Sequence, residues 1–222
     1  MSRFDKAAAT WDVNPARVEQ ARNIAAAIRQ HVGGRRGLIV VDYGCGTGLV
    51  TLELQDLAAE ITGMDSSLAM LAELERKARI QGLRHVRTLH GDLQSDPPPP
   101  IGADLVVSAM TLHHVEDVPS VLSKLVTMLK PGGLICLADL DREDGSFHQD
   151  NTGVHHFGFD RQEIAEWLSR LGLINVFTTT AHTVERPTAG GTRTFTVFLV
   201  GGWTSGSDIA VLPASGSSAA NG

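Results

Sequence analysis

The sequence predicts an α/β domain: a parallel sheet with helices on both faces, finished by an antiparallel pair of strands at its C-terminal end. Three observations predict it. Short runs rich in Val, Ile and Leu alternate with amphipathic stretches between residues 38 and 140. A glycine-rich turn, GCGTG at 44–48, follows the first of these runs. Two β-rich runs, 174–180 and 192–200, come after the last helical stretch with no helix between them.

The elements follow in order. Residues 15–32 place Val18, Ala21, Ile24, Ala25 and Ile28 at helical spacing, and Gly33-Gly34 ends the helix. GLIVVDYG, at 37–44, is a continuous apolar run, as expected of a strand buried on both faces. A helix is expected over 47–59, a strand over 60–65, a helix over 67–81 stopped by Gly82, and strands over 85–90 and 103–109. The next helix, 118–129, carries Pro119 in its first turn, and KPGG separates it from a fifth strand at 134–140. Regular alternation of this kind specifies a Rossmann-like parallel sheet. After a long connection, Asp160 and Glu163 suit a capping-box-like start for a helix with the stripe Ile164, Trp167, Leu168 and Leu171. The expected organisation is an N-terminal helical lid segment (1–35), a cofactor-binding domain (36–203), and a Ser/Gly/Ala-rich tail (204–222) expected to be disordered.

Composition narrows the function. The chain has 222 residues, 42% of them hydrophobic, and a formal net charge of −6. That balance argues against a nucleic-acid partner or an anionic membrane surface. Cys45 and Cys136 lie apart without CxxC spacing, which argues against a disulfide framework and a structural zinc site. The N-terminus has no apolar signal region, and no apolar run approaches the ~20 residues needed to span a bilayer. The expectation is a cytoplasmic protein, monomer or homodimer, with no membrane partner.

The glycine turn departs from two familiar phosphate sites. A dinucleotide fingerprint starting at Gly44 needs glycine at 49, where Leu49 stands, and no GK[ST] follows. Instead Gly44, Gly46 and Gly48 follow Asp42, whose carboxylate disfavours a pyrophosphate and suits a ligand with positive charge. The second strand ends in Asp65, followed by Ser66. An acidic residue about 20 positions past the glycines accepts ribose hydroxyls. Gly91-Asp92-Leu93 ends the third strand, with a carboxylate for an exocyclic adenine amine and an apolar side chain for the ring. Together these describe a positively charged adenosine compound.

The motifs VVDYGCGTG, GMDSS, GDL, ADLVVSAMTLHHVED and LKPGGLICLADL, in this order over about 38–140, resemble class I S-adenosylmethionine-dependent methyltransferases of the small-molecule, type 11 group. FDKAAATWD and GFDRQEIAEWLSRLGL resemble that family's flanks. The resemblance implies S-adenosyl-L-methionine as cofactor. Asp42 with Gly44, Cys45 and Gly46 would hold its methionine end, Asp65 with Ser66 the ribose, Asp92 with Leu93 the adenine, and Ala109 and His114 would line it from the other side. A nicotinamide-dependent reductase and a non-catalytic S-adenosylmethionine-binding regulatory protein are the alternatives.

The acceptor end is expected from three segments beyond the strand ends. The segment TLHHV at 111–115 offers His113 as a proton acceptor. The segment 4–11 offers Trp11 as a wall. The connection 141–160 is long for its place in a compact domain and contains Phe147, His148, His155, His156, Phe157 and Phe159, so it reads as a substrate lid. Its histidines are candidate bases or substrate ligands. No metal is expected, because adjacent side chains such as those of His155 and His156 point apart in extended chain. The segment at 108–111 reads SAMT and lacks the D/N/S-P-P-aromatic motif of DNA amino-methyltransferases, and the prolines at 97–100 precede the fourth strand. A small-molecule methyl acceptor is therefore expected.

Overall fold

The computed structural model describes residues 2–188 and 191–206. Its centre is a seven-stranded sheet in the order β3-β2-β1-β4-β5-β7-β6. The strands are β1 (Leu38–Tyr43), β2 (Ala58–Asp65), β3 (Val86–His90), β4 (Ala103–Ala109), β5 (Leu129–Leu140), β6 (Ile174–Thr188) and β7 (Gly191–Trp203). β1 to β5 run parallel, while β7 pairs antiparallel with both β5 and β6. This is the expected fold class, with the order reversing beside β1, so β1 and β4 diverge into a crevice at their carboxyl ends.

Two apolar layers cover the sheet. On one face, α2 (Pro15–Val32) buries Ala21, Ile24, Ala25 and Ile28 against Val40, Leu105 and Leu199, and α3 (Leu49–Glu53) packs beside it. On the other, α5 (Val118–Thr127) and α6 (Arg161–Arg170) bury Val121, Leu122, Leu125, Ile164 and Leu168 against Val41, Val106 and Ile135. α4 (Leu68–Ile80) follows β2, with the Ser67 hydroxyl capping Met70 N–H. α1 (Arg3–Ala7) opens on a capping box between Ser2 and Asp5 and runs into a 3-10 segment, Ala8–Val13.

Several elements differ from expectation in their bounds. The helix expected over 47–59 is only α3, followed by a 3-10 turn, Gln55–Leu57, with β2 already started at Ala58. Gly48 is left-handed (φ 81°), which delays the start, and the Arg29 guanidinium takes the Glu53 carbonyl and the Asp56 carboxylate, which ends the helix. β5 begins earlier than expected because Leu129 pairs with Ala103, so the KPGG segment belongs to the strand. β6 and β7 extend well past 180 and start before 192. Pro187 hides that extension in the sequence, but β6 is an edge strand, where proline is tolerated. At α6, Asp160 accepts from Gln162 N–H at 2.8 Å, while Glu163 pairs with Arg142 rather than closing a capping box.

Thr204, at the head of the expected tail, donates to the Lys130 carbonyl at 2.6 Å, and its N–H donates to the Gly133 carbonyl at 2.9 Å. The remainder of the expected tail, 207–222, lies outside the described residues. Among the described residues no helix is long and apolar enough to cross a membrane.

Candidate active site

The carboxyl ends of β1, β2 and β4 open into a cavity of about 770 Å³. α1 and the 3-10 segment roof one side, and the 141–160 connection closes another.

The glycine turn forms the floor. Gly44 N–H and Cys45 N–H both donate to the Met64 carbonyl, at 2.7 and 3.1 Å, which pins the turn to β2. Gly44 has φ 71°, and a Cβ there would lie 2.2 Å from the Thr111 side chain. Gly44→Ala is therefore expected to abolish measurable cofactor binding, because it adds backbone strain and a clash together. Calorimetry on the folded variant checks this, and wild-type affinity would contradict it. Gly46 has φ 54° and would meet nothing within 4 Å, so a ligand can approach its backbone closely. Burial pushes the Cys45 thiol well up, so it stays a neutral wall.

Asp42 is 2% exposed and lines the cavity. Its Oδ2 accepts from Thr51 Oγ1 at 2.6 Å, and no described residue donates to Oδ1. Burial raises its pKa to about 7, against the Thr51 hydrogen bond and with help from the Asp65 charge. This sets a pH dependence. The folded value lies above the ordinary carboxylate value of ~3.9. Its stabilising contribution is thus present at low pH and lost as pH rises through about 7. Binding a cation has the opposite sign, since it favours the carboxylate and releases a proton. S-adenosylmethionine affinity is expected to rise by up to about tenfold between pH 6 and 8. Calorimetry in buffers of different ionisation enthalpy measures both affinity and proton release, and a flat profile without release would contradict it.

Asp65 sits at the end of β2. Oδ2 accepts from Gly46 N–H and Oδ1 from Ser67 N–H, both at 2.8 Å. Burial raises its pKa, and the Asp92 charge adds to this against its backbone hydrogen bonds. Each oxygen keeps a lone pair for a second donor. Asp92 accepts from Tyr43 Oη at 3.1 Å and Gln94 N–H at 3.0 Å on Oδ1, and from Gln94 Nε2 at 3.3 Å on Oδ2.

The opposite wall holds a buried pair. His113 is 1% exposed and Asp139 is 0% exposed. His113 Nδ1 meets Asp139 Oδ1 at 2.7 Å, and His113 N–H donates to Oδ2 at 3.2 Å. Leu140 N–H donates to Oδ1 at 2.7 Å. Burial alone would raise the Asp139 carboxyl, but the His113 charge and these donors leave it lowered. An ionised Asp139 assigns the proton to Nδ1, and no described residue bonds Nε2. Positioning of this kind orients an imidazole to accept a proton at Nε2.

The other histidines differ. His114 Nδ1 donates to the Gly153 carbonyl at 2.7 Å, and Nε2 accepts from Arg3 Nη2 at 3.2 Å. Burial first, then the His113 and Arg3 charges, push its pKa down to about 3. It is therefore neutral and committed on both nitrogens. His148 is pushed down to about 4 by burial and by the charges of His113, Arg3 and Arg186. Its buried Nε2 has no partner among the described residues.

The roof is tied down by carboxylates. Asp5 accepts from Ser67 Oγ at 2.5 Å, and Asp12 accepts from Thr47 Oγ1 and Lys77 Nζ at 2.6 Å each. Trp11 lies within this roof, with the Arg17 guanidinium 3.8 Å from its ring centroid. The 141–160 connection is likewise anchored. His155 N–H and His156 N–H both donate to the His113 carbonyl, and Phe147 packs edge-on against Phe195.

Most of the residues expected at the site share this one cavity: Asp42, Gly44, Cys45, Gly46, Asp65, Ser66, Asp92, Ala109, His113, His114, His148, His155, Trp11 and Phe147 line it. Leu93, His156 and Phe157 do not. Leu93 is fully buried among core residues beside Leu122. His156 bonds the Val115 carbonyl through Nε2 and packs on Phe159. Phe157 is 43% exposed. The sequence reading missed Asp139, Arg3, Arg17 and Arg186. For Asp139 a signal existed: it is a strand-end carboxylate on β5, beside the β4 end that leads into the His113-His114 pair.

The crevice thus brings together a close-approach glycine turn, the strand-end carboxylates Asp42 and Asp65, and the buried His113–Asp139 pair. A profile of the methyltransferase-domain family matches residues 40–133. The chain is 30% identical over 158 residues to an uncharacterized methyltransferase of Geobacillus kaustophilus, covering 68% of this chain and 71% of that protein. It is 29% identical over 163 residues to the ubiquinone biosynthesis O-methyltransferase of Alkalilimnicola ehrlichii, covering 66% and 61%. The chain spans only 55% of a Schizosaccharomyces pombe uncharacterized methyltransferase to which it is 31% identical over 156 residues, 64% of this chain. Among solved structures, the methyltransferase in complex with the Haloferax volcanii Trm112 methyltransferase activator shares the fold. The TM-score is 0.72 at 20% identity, covering 92% and 99% of the two chains. The chain belongs to the class I S-adenosylmethionine-dependent methyltransferases, and the nicotinamide alternative falls with that membership.

Proposed function

We propose that the protein transfers a methyl group from S-adenosylmethionine to a hydroxyl oxygen of a small-molecule acceptor, with His113 as general base. The observation that carries this reading is the buried His113–Asp139 pair on the cavity wall. The residues present suit the cofactor: Asp42 Oδ1 offers an unshared acceptor to its cationic end, and Asp65 offers lone pairs to its ribose. Arg17, at the start of α2 beside the roof, is suited to its carboxylate. When bound, the cofactor supplies an electrophilic methyl on a sulfonium whose sulfur departs as a neutral thioether.

The chain does the rest. His113 Nε2 takes the acceptor's hydroxyl proton, and Asp139 holds the ring and stabilises the imidazolium that forms. The roof, tied by Asp5 and Asp12, excludes water from the reacting atoms. Likeness to an enzyme named as an O-methyltransferase supports oxygen as the acceptor atom. The concave, partly roofed cavity supports a small acceptor over a macromolecule. Incubating the protein with S-adenosylmethionine and matched hydroxylated and O-methylated small molecules tests it. S-adenosylhomocysteine release is expected only with the hydroxylated members. Release that ignores the free hydroxyl, or none with any member, would count against the reading.

A further inference from the structure

We infer that the acceptor carries an anionic group, a carboxylate or phosphate, that docks on Arg186; this rests on the methyl-transfer reading above. Arg186 comes from the far end of β6 and lines the cavity. Its guanidinium lies 3.9 Å from the centroid of the Phe147 ring, and Nη1 donates to the Phe147 carbonyl at 3.2 Å. Among the described residues no acceptor takes Nε or Nη2, and no carboxylate pairs with it. Ring and carbonyl therefore fix the plane of the guanidinium while leaving one edge of its fork open. An open, oriented edge is the geometry that takes a carboxylate or phosphate through two parallel hydrogen bonds.

The surroundings favour an anion at Arg186. Arg17 also lines the cavity, stacks on Trp11, and donates only from Nη1, to the Trp11 carbonyl at 3.3 Å. Its charge bears on Arg186, whose pKa burial already lowers, and Arg186 and Arg3 both bear on His148. Asp42, Asp65 and Asp92 group together, with Asp65 bearing on Asp42 and Asp92 on Asp65; Asp12 bears on Arg17 and Asp139 on His148, and none of these carboxylates bears on Arg186. The cavity thus has an acidic cluster and a basic cluster. Arg17 has the Asp12 carboxylate nearby, but half-buried Arg186 feels the Arg17 charge with no carboxylate to balance it; that is costly, and a bound anion offsets the cost.

The cofactor brings one carboxylate for these two open forks. Arg17 adjoins Asp12, which is tied to Thr47 in the glycine turn, so Arg17 stands on the cofactor side. Arg186 is held by Phe147 and neighbours His148, both from the 141–160 connection, so it stands on the acceptor side. The buried His148 Nε2 without a described partner lies in the same basic cluster.

The test uses the full chain saturated with S-adenosylhomocysteine and titrated calorimetrically with matched probes. These are inorganic phosphate, 4-hydroxybenzoate against 4-hydroxybenzyl alcohol, and glycerol 3-phosphate against glycerol. At least one anionic member is expected to bind about tenfold or more tightly than its neutral partner. Arg186→Gln is expected to remove that preference while leaving S-adenosylhomocysteine affinity within about twofold, and Arg186→Lys to keep part of it. Three results would overturn the inference: no anionic preference in the wild type, a preference that survives in both variants, or a loss confined to S-adenosylhomocysteine affinity, which would give Arg186 to the cofactor. Failure of the wild type to bind S-adenosylhomocysteine would instead strike the methyl-transfer reading itself.

Discussion

Asp65→Ala is expected to weaken S-adenosylmethionine binding by about 2–4 kcal/mol, roughly 30- to 1000-fold. Two effects combine. The ribose loses a charged acceptor, and hydrogen bonds to a charged group are worth about 1.5–3 kcal/mol each. The glycine turn also loses its brace, because Asp65 Oδ2 holds Gly46 N–H and Oδ1 holds Ser67 N–H. Asp65→Asn separates these effects. One amide oxygen can still accept from a backbone N–H, so this variant is expected to fall between wild type and alanine. Calorimetric titration measures both, and unchanged affinity in the alanine variant would remove Asp65 from the cofactor site.

Asp139→Asn is expected to lower kcat by about 10²–10⁴-fold while changing S-adenosylmethionine affinity little. The asparagine side chain fills nearly the same volume, so the cavity wall survives. Its amide no longer fixes the His113 tautomer or stabilises an imidazolium, because the negative charge of the buried carboxylate is gone. His113→Gln is expected to lose a similar factor, and the double variant little more, since the two residues act as a unit. A merely structural pair predicts something else: lower melting temperature and weaker cofactor binding in proportion, with no change in the pH profile of kcat. Additive losses in the double variant would likewise break the account of a coupled pair.

The two ends of the cavity were unequally legible in the sequence. The cofactor end is local. Asp42, Gly44, Gly46 and Asp65 lie within two strand–turn–helix units, and strand-end position alone places them in the crevice. The end proposed for the acceptor is assembled from residues far apart: Arg3 near the start, His113 and Asp139 from two neighbouring strand ends, and Arg186 from an edge strand. Arg186 was hidden because Pro187 obscured the length of β6, which carries it to the cavity. Leu93 shows the limit of a local reading. Its place beside Asp92 suggested a wall for the adenine, but the side chain turns into the core under α5. The histidines of the 141–160 connection could not be ranked by type. Their hydrogen bonds separate them: His156 is bonded to Val115, His155 anchors through its backbone N–H to His113, and His148 keeps a buried nitrogen unpaired.

The central claim is that this crevice is built for a cationic adenosine cofactor, and side-by-side calorimetric titration of the full chain with S-adenosylmethionine and NADPH tests it most directly. One-site binding of S-adenosylmethionine, tighter at pH 8 than at pH 6 and lost in Asp65→Ala, with no heat from NADPH, is the result predicted. Binding of NADPH without S-adenosylmethionine, or S-adenosylmethionine binding indifferent to Asp65, would contradict it.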